Sequence, residues 1–231
     1  MTNAVIGHHP RHVDAVNLAR CVDAVNHPYP REVHEQRTRD TRRALITAAS
    51  DLLARGGPAH VTLRAVGAAA NVSRTAPYRH FQDKDDLLST VAAENLSLLK
   101  SEIRRAVADT TTDSTPLFRA CLAYVRVAWE YPNHYWLEFG GDYAIKPNRM
   151  LEDAAIDFNK YFEELVVEAQ QSNTLIAGDI REVGPLLWVL LHGLAMSNHL
   201  VADRGCEPGA GYDTEDMSRV LALALRNLTP R

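Results

Sequence analysis

Apolar side chains recur at spacings of three and four residues along most of this chain, and this periodicity constrains the fold more than any other feature. An α-helix has about 3.6 residues per turn, so positions at these spacings share one face of it. The alternation typical of a half-buried strand does not compete with this pattern. The sequence therefore predicts an all-α fold. The clearest stripes are Leu45, Ala48, Ala49, Leu52 and Leu53, then Leu88, Val91, Leu99 and Ile103, and last Met217, Val220, Leu221, Leu225 and Leu228.

Breaks in this periodicity divide the chain into three parts. Residues 1–38 contain Pro10, Pro28 and Pro30, and we expect a flexible N-terminal extension there. Residues 39–87 hold short helical segments and are predicted to form a small three-helix domain. Residues 88–231 are predicted to form a larger helical domain, with helices near 116–131, 132–139, 148–171 and 181–202 and a last helix that opens at Thr214.

The net charge of −4 conceals an uneven distribution. From Arg31 to Lys84 there are ten basic and five acidic residues, a balance of +5, while residues 1–30 carry two of each sign. The chain beyond Lys84 must therefore hold −9 for the total to be −4. The average argues against a nucleic acid as partner, but a basic module ahead of an acidic body favours one.

Residues 62–80 show the pattern of two short helices joined by a tight turn. Thr62 is a good N-cap for the first helix, and Gly67 in it allows a close approach of two backbones. Asn71 tolerates the left-handed conformation that a sharp reversal needs, and Ser73 is expected to cap the second helix, over 74–80. Such a pair can hold a short helix at a fixed angle for the major groove. The residues expected to face inward are Leu63, Val66, Ala69, Ala70 and Val72.

Four short stretches in this region resemble the signature of the TetR family of transcriptional regulators. They are Val61-Thr62-Leu63-Arg64, Asn71-Val72-Ser73-Arg74, Tyr78-Arg79-His80-Phe81 and Lys84-Asp85-Asp86-Leu87-Leu88, and their order and spacing cover Thr41 to about Val91. The resemblance implies a helix-turn-helix DNA-binding domain over 39–87 and a ligand-binding and dimerisation domain over 88–231. Trp188, His192 and Gly193 also resemble the residues that name the WHG-type C-terminal domain of one subgroup.

The resemblance implies a set of DNA-binding residues on the second helix and around it. Arg74, Thr75 and Ala76 would face bases, and Tyr78, His80 and Lys84 would hold phosphates. For Lys84 the first turn of its helix supports this role, because free backbone N–H groups and the helix dipole attract an anion there. The full predicted set is Thr62, Arg64, Ser73, Arg74, Thr75, Ala76, Tyr78, Arg79, His80 and Lys84.

Several of these assignments have structural alternatives. Tyr78 could instead pack on Phe81, and His80 could be a hydrogen-bonded cap. Asn71 stands where the family usually has glycine. Pro77 lies near the start of the recognition helix, where it can shift the helix start and with it the positions of residues 75 and 76. A second basic group can follow phosphates or a minor groove, or be a solvated charge run. It consists of Arg37, Arg39, Arg42 and Arg43.

One short helix reads too little of a DNA sequence to specify an operator, because each good bidentate base contact contributes about 1 to 3 kcal/mol. We therefore expect a homodimer on a palindromic double-stranded operator, with the centres of the two helix-turn-helix domains about 34 Å apart. The stripe on the last helix and the apolar run from Leu186 to Val201 are the candidate interface.

Aromatic residues of the larger domain can line a pocket for a small, largely apolar effector, although such a stripe can also be plain core. The predicted ligand-binding residues are Trp129, Trp136, Phe139, Tyr143, Phe158, Phe162, Trp188, His192 and Met196.

Other classes of protein have weaker support in the sequence. No phosphate loop, HExxH motif or paired Cys and His spacing points to an enzyme, so we expect no catalytic residues, cofactor or metal. No signal sequence or membrane span is expected, which favours the cytoplasm. The alternatives left open are a ligand-independent regulator, a thiol-responsive one acting through Cys121, and sequence-independent DNA binding.

Overall fold

The computed structural model describes residues 30–140, 145–203 and 213–230, and the all-α prediction is confirmed, because the regular structure in these ranges is entirely helical. A boundary between two compact units lies between Asp40 and Thr41. The helices within the described ranges are α1 (Pro30–Gly56), α2 (Leu63–Ala69), α3 (Ala76–His80), α4 (Lys84–Ala108), α5 (Pro116–Glu130), α6 (Pro132–Phe139), α7 (Arg149–Gln171), α8 (Ile180–Asp203) and α9 (Thr214–Asn227), with one 3-10 turn, Pro58–His60.

The first helix begins earlier than the apolar periodicity does. Residues 30–38, expected to be a flexible extension, are helical, while residues 1–29 lie outside the described part of the chain. Proline fits the first turn of a helix, where its missing N–H costs least. Pairs of exposed side chains one turn apart add a little to the stability of this helix: Gln36 donates to Asp40 at 2.8 Å, and Arg39 lies 3.5 Å from Glu35. The proline therefore starts a helix here.

Residues 41–91, which we call the head, enclose a small apolar core. It is formed where α1, α2 and the start of α4 meet, and Leu45, Leu53 and Val66 in it are fully buried. Phe81, which directly follows α3, is 2% exposed and closes the core beside Leu87. Burying side chains of this size stabilises the head by about 1.5 to 3 kcal/mol each.

The described residues after position 91 form the body. In it, α5 packs against the C-terminal part of α4 and against α7, α8 and α9. Tyr124 of α5 is 1% exposed at the centre of this core. From α9, Met217, Leu221 and Leu225 point into the same core. The stripe that was expected to form the dimer interface is therefore used within the chain.

Helix α6 joins the body to the head. His134 Nε2 lies 2.8 Å from Ser50 Oγ of α1, and Asn133 Nδ2 donates to the Ala54 carbonyl at 2.8 Å. Leu137, one turn further on, is 3% exposed within the head core. These contacts fix α6 on the head by both polar and apolar groups.

Asn148 makes a second connection. Its Oδ1 accepts from the Leu151 N–H at 3.1 Å and so caps α7. Its Nδ2 donates to Asp86 Oδ1 of α4 at 2.8 Å. One side-chain amide therefore ties the start of α7 to the start of α4.

Candidate nucleic-acid interface and body cavities

The first short helix is capped as predicted. Thr62 Oγ1 accepts from the Ala65 N–H at 3.1 Å, which leaves the hydroxyl proton available for a phosphate. Leu63 and Val66 face inward. Ala69 does not: it is exposed, because in a helix of seven residues only one narrow face meets α1 and α4. The core of the motif is therefore smaller than the sequence suggested.

The turn between α2 and α3 has the predicted left-handed residue. Asn71 has φ 53°, and the chain reverses through hydrogen bonds from the Asn71 N–H to Ala68 and from the Val72 N–H to Gly67. Asparagine adopts this conformation at lower cost than other residues with a Cβ. The departure from the usual glycine therefore leaves the geometry of the turn intact.

The second helix starts two residues later than predicted. It spans Ala76–His80, and Ser73 does not cap it, since its hydroxyl lies 3.4 Å from Thr75 Oγ1. Pro77 explains the shift: a helix starting at Arg74 would place proline where an N–H is needed. The buried Pro77 ring also lies so close to Gly67 that a Cβ on the glycine would come within 2.9 Å. Gly67 thus permits the close approach that the sequence predicted.

Most of the predicted DNA-binding residues are brought together on one exposed motif. Tyr78 is 63% exposed and projects from α3, so it does not pack on the buried Phe81. Among the described residues, Arg64, Arg74 and Arg79 make no ion pair with an acidic side chain. The exposed members are Thr62, Arg64, Ser73, Arg74, Thr75, Tyr78 and Arg79, and the half-buried ones are Ala76, His80 and Lys84.

His80 stands in a cationic setting at the end of α3. Burial, followed by the charges of Arg42 and Arg79, lowers its pKa below the ordinary value. The imidazole is therefore neutral at pH 7 and would meet a phosphate as a hydrogen-bond donor. Arg42 lies with its guanidinium carbon 5.3 Å from the centre of the Phe81 ring.

The start of α4 is less suited to an anion than its sequence suggests. Asp83 caps the helix by accepting from the Asp86 N–H at 2.9 Å, and Asp86 accepts from the Gln82 N–H at 3.0 Å. These carboxylates occupy donors that a phosphate would otherwise use, and they add negative charge. Any phosphate contact at this point depends on the Lys84 ammonium group.

The four arginines Arg37, Arg39, Arg42 and Arg43 lie in the first half of α1. Arg43 donates to Glu94 of α4 at 3.0 Å, and Arg39 pairs with Glu35. Arg37 is exposed. Arg39 and Arg43 would have to exchange a carboxylate for a phosphate in order to bind DNA.

Two cavities open in the body beside α6, α7 and α8. One of about 310 Å³ lies between α4, α6 and α7, and one of about 620 Å³ lies between α7 and α8. Phe139, Asn159 and Trp188 line both, so the cavities are neighbours. Of the predicted ligand-binding residues, Phe139, Phe158, Phe162 and Trp188 line at least one of them. Their volumes lie in the range of small-molecule sites.

His192 lies behind this aromatic wall. Its ring is stacked on Trp188, with centroids 4.7 Å apart, and its Nδ1 lies 2.7 Å from the Tyr135 hydroxyl. The Tyr135 hydroxyl is in turn 2.9 Å from that of Tyr124. Burial lowers the pKa of His192, so the imidazole is neutral at pH 7. The predicted Trp188 and His192 thus form one contiguous group.

Among the described residues, Trp129, Trp136 and Met196 do not line these two cavities. Trp129 donates from Nε1 to the Leu194 carbonyl at 3.2 Å, and Met196 packs on the body core. Trp136 is half-buried on α6. Tyr143 lies outside the described residues. The aromatic stripe is therefore part cavity wall and part core, which are the two interpretations that its sequence allows.

Sequence reasoning missed Glu138, which among the described residues is the one acidic side chain on the wall of the smaller cavity. Its Oε1 accepts from Asn95 Nδ2 of α4 at 2.7 Å, while Oε2 is buried and meets no partner among the described residues. Burial raises the pKa of this carboxyl group to about 8, and the bond from Asn95 opposes the rise. An acidic residue within the aromatic stretch Tyr135–Phe139 was the available signal.

Cys121 is 2% exposed, and burial raises the pKa of its thiol to about 12. A protonated, enclosed thiol reacts slowly with oxidants, which weighs against thiol control through this residue. Among the described residues, no group of three or more His, Cys, Asp or Glu side chains could hold a metal. No helix in the described ranges has the length and apolarity that crossing a membrane requires.

Known proteins share both the motif and the fold. Residues 45–91 match the model of the family described as bacterial regulatory proteins, tetR family. A protein with unknown function from Rhodococcus sp. RHA1 is similar in fold at 23% identity, with a TM-score of 0.67 over 90% of this chain and 99% of that one. A TetR family transcription regulator from Marinobacter aquaeolei VT8 matches at 16% identity and a TM-score of 0.61, over 85% and 100% of the two chains. The fatty acid degradation regulator FadR from Bacillus halodurans matches at 15% and 0.56, over 80% and 93%.

Proposed function

We propose a specific role for this chain, whose residues 45–91 match the tetR family of bacterial regulatory proteins: it is a repressor that binds a palindromic operator as a homodimer and is released by a small, largely apolar ligand. It would act in the cytoplasm on double-stranded DNA. The family match and the helical fold support a DNA-binding transcription regulator. The operator symmetry, the dimer and the ligand are parts of the proposal.

The observation that carries the proposal is the exposed surface of the helix-turn-helix motif. Arg74, Tyr78 and Arg79 project into solvent from a segment whose other side is closed by apolar contacts. Arg74 and Arg79 make no ion pair within the described chain, so their charges are available to DNA. Because α3 is held by Pro77 against α2, these side chains would meet the major groove with little loss of backbone freedom.

The test is to select bound fragments from the genomic DNA of the source organism and to measure binding of the recovered site by fluorescence anisotropy. We expect one palindrome to be enriched. Arg74→Ala should lower its affinity by about 1 to 3 kcal/mol, the usual size of a base contact. Arg104→Ala removes an exposed arginine near the C-terminal end of α4 and should leave the affinity unchanged. Equal binding of random duplexes would instead support sequence-independent DNA binding.

The homodimer is proposed to form through the outer face of α8. Leu186 and Val189 are 49% and 60% exposed there, although α8 also supplies Leu187 and Leu191 to the body core. Large apolar side chains exposed on a helix that is otherwise apolar are typical of an interface. Sedimentation should show a dimer that Val189→Arg dissociates. Ile156→Arg, at an exposed apolar site on α7, should leave the dimer intact.

The ligand is proposed to enter the two neighbouring cavities beside Phe139 and Trp188. Both cavities touch α6 or α7, and these helices contact the head through His134 and Asn148. A ligand that changes the position of either helix therefore changes contacts of the head. Titration of the protein–operator complex with an effector should lower operator affinity. If no apolar compound does so, the chain is a ligand-independent regulator.

A further inference from the structure

The buried carboxyl group of Glu138 lacks half of the partners that it needs. Asn95 satisfies Oε1, but Oε2 is enclosed and receives no hydrogen bond from a described residue. An ionised carboxylate in such a place is costly unless a cation or several donors meet it. The described part of the chain therefore leaves one strong acceptor unused beside a cavity.

That cavity offers Glu138 no charged partner of its own. Besides Glu138 its wall is made of apolar and aromatic residues and the neutral side chain of Asn159. The aromatic rings of Phe139, Phe158 and Trp188 contribute to the wall. An apolar chamber with a single acidic group is complementary to a ligand that is apolar except at one cationic point.

None of the described titratable groups near this carboxyl group bonds its Oε2: one turn before it on α6, His134 contacts Ser50 through Nε2, and the His134 Nδ1 is itself buried without a described partner. Burial raises the pKa of both Tyr124 of α5 and Tyr135 of α6, and the Glu138 charge adds to each rise. Their hydroxyls already bond each other, and that of Tyr135 also meets His192 of α8. His192 is neutral at pH 7 because burial lowers its pKa. On α4, Glu94 is held by Arg43 at 3.0 Å.

We propose that Glu138 recognises a protonated amine, so that the ligand of the body cavities is an apolar molecule with one ammonium group. This inference rests on the proposed function, because it names the chemistry of the effector assumed there. The ammonium would donate to Oε2 while Asn95 keeps Oε1, and the apolar part would lie against Phe139 and Trp188. The aromatic rings add an attraction for a cation near their faces.

The described wall of the smaller cavity contains no lysine or arginine, so it offers an anionic ligand no cation. A carboxylate beside Oε2 could bind only the protonated form of Glu138, because two ionised carboxylates could not share the chamber. An amine has the opposite effect, because it stabilises the ionised form of Glu138. Since burial, opposed by the bond from Asn95, raises the pKa of Glu138 to about 8, amine binding at pH 7 should release a proton from it.

The experiment uses the full chain and three probes with one tail: octylammonium, octanol and octanoate. Isothermal titration in two buffers of different ionisation enthalpy measures both affinity and proton release. We expect octylammonium to bind at least about 10-fold tighter than the other two, the effect of one hydrogen bond to a charged group. Of the three probes, only octylammonium should release a proton when it binds.

Glu138→Gln should abolish the preference and the proton release while octanol affinity stays within about 3-fold, since amide and carboxyl groups have nearly equal volume. Glu164→Gln, which alters an exposed acid of α7 that lines neither cavity, is the matched control and should bind as the original chain does. Circular dichroism checks that both variants are folded.

The possible outcomes separate this inference from the proposed function. Equal binding of octylammonium and octanol, tighter binding of octanoate, or an amine preference that survives Glu138→Gln would overturn the role of Glu138 and leave an effector cavity of other chemistry. If none of the three probes binds, the small-molecule cavity itself is contradicted, while operator binding by the head is measured independently by anisotropy.

Discussion

The head and the body of this chain are both helical, but their interiors differ in kind. The head core is a set of apolar side chains such as Leu45, Leu53 and Phe81. The body core contains a row of hydrogen-bonded groups, Tyr124, Tyr135 and His192, and has two cavities at its edge. A filled apolar interior favours one arrangement, whereas polar groups beside open space can exchange partners. The contrast fits the proposed function, in which the head reads DNA and the body responds to a ligand.

The largest expected effect tests the filled interior of the head. Leu53 is fully buried, and Leu53→Ala should lower the free energy of unfolding by about 2 to 5 kcal/mol, because it creates a cavity among rigid neighbours. Urea denaturation measures the change. A loss below about 1 kcal/mol would mean that the head collapses around the gap, contrary to the contrast drawn above.

The second effect tests the polar interior of the body. Glu138 has a pKa raised from 4.5 to about 8, so the folded chain holds its proton more tightly than the unfolded chain does. The free energy of unfolding should therefore fall as pH rises from about 4.5 to about 8 and be level above that. Each pKa unit corresponds to about 1.4 kcal/mol, so the fall should amount to a few kcal/mol.

Glu138→Gln should remove this pH dependence. The difference in unfolding free energy between the variant and the original chain separates the contribution of Glu138 from that of other titratable groups. Burial lowers the pKa of His134 from its ordinary value of 6.5, so this residue has the opposite effect on stability: it destabilises both proteins as the pH falls below about 6.5. Denaturation at a series of pH values measures both curves. Parallel curves for Glu138→Gln and the original chain would show that the carboxyl group is not buried in solution.

The third effect concerns the close approach of α2 and α3 in the head. Gly67→Ala places a Cβ within 2.9 Å of the Pro77 ring and should destabilise the chain by about 1 to 3 kcal/mol through overpacking. Operator affinity should fall as well, because Pro77 fixes the recognition helix. Gly184→Ala is the control: its Cβ meets nothing closer than 3.8 Å, so it should stabilise the chain slightly. A neutral Gly67→Ala would show that α3 is loosely held.

The smallest effect concerns the connection between the two regions. Asn148→Ala removes a helix cap, which costs about 1 kcal/mol, and also the bond to Asp86. Thr115→Ala removes only the cap of α5 and serves as the reference. The loss for Asn148→Ala should exceed the reference by about 0.5 to 1.5 kcal/mol, the usual net value of a hydrogen bond. Equal losses in thermal unfolding would mean that the two helix starts are uncoupled.

The head was largely predictable because its signals are local. The left-handed turn at Asn71 and the cap at Thr62 follow from the preferences of single residues. The error at the start of α3 was also local, since Pro77 excludes a helix that begins at Arg74. Ala69 was misplaced because a spacing of three or four residues defines a face without its width.

The body was less predictable because its interactions join distant residues. Periodicity shows that Met217 and Leu221 lie on one apolar face of a helix. It does not show whether that face is buried in the core of the same chain or against a partner chain. The bond from Asn95 to Glu138 joins two helices, and no pattern near either residue announces it. Only the contacts in the structure show which residues of the aromatic stripe line a cavity and which belong to the core.

The double role of Asn148 makes the connection between α7 and α4 sensitive to a single atom. An aspartate there could still cap α7 through one oxygen, but the other oxygen would face the Asp86 carboxylate at hydrogen-bond distance. Exchange of one NH2 group for an oxygen, as deamidation causes, would therefore turn an attraction into a repulsion without changing the size of the side chain. Asn148→Asp is thus a way to alter communication between the regions while both remain folded.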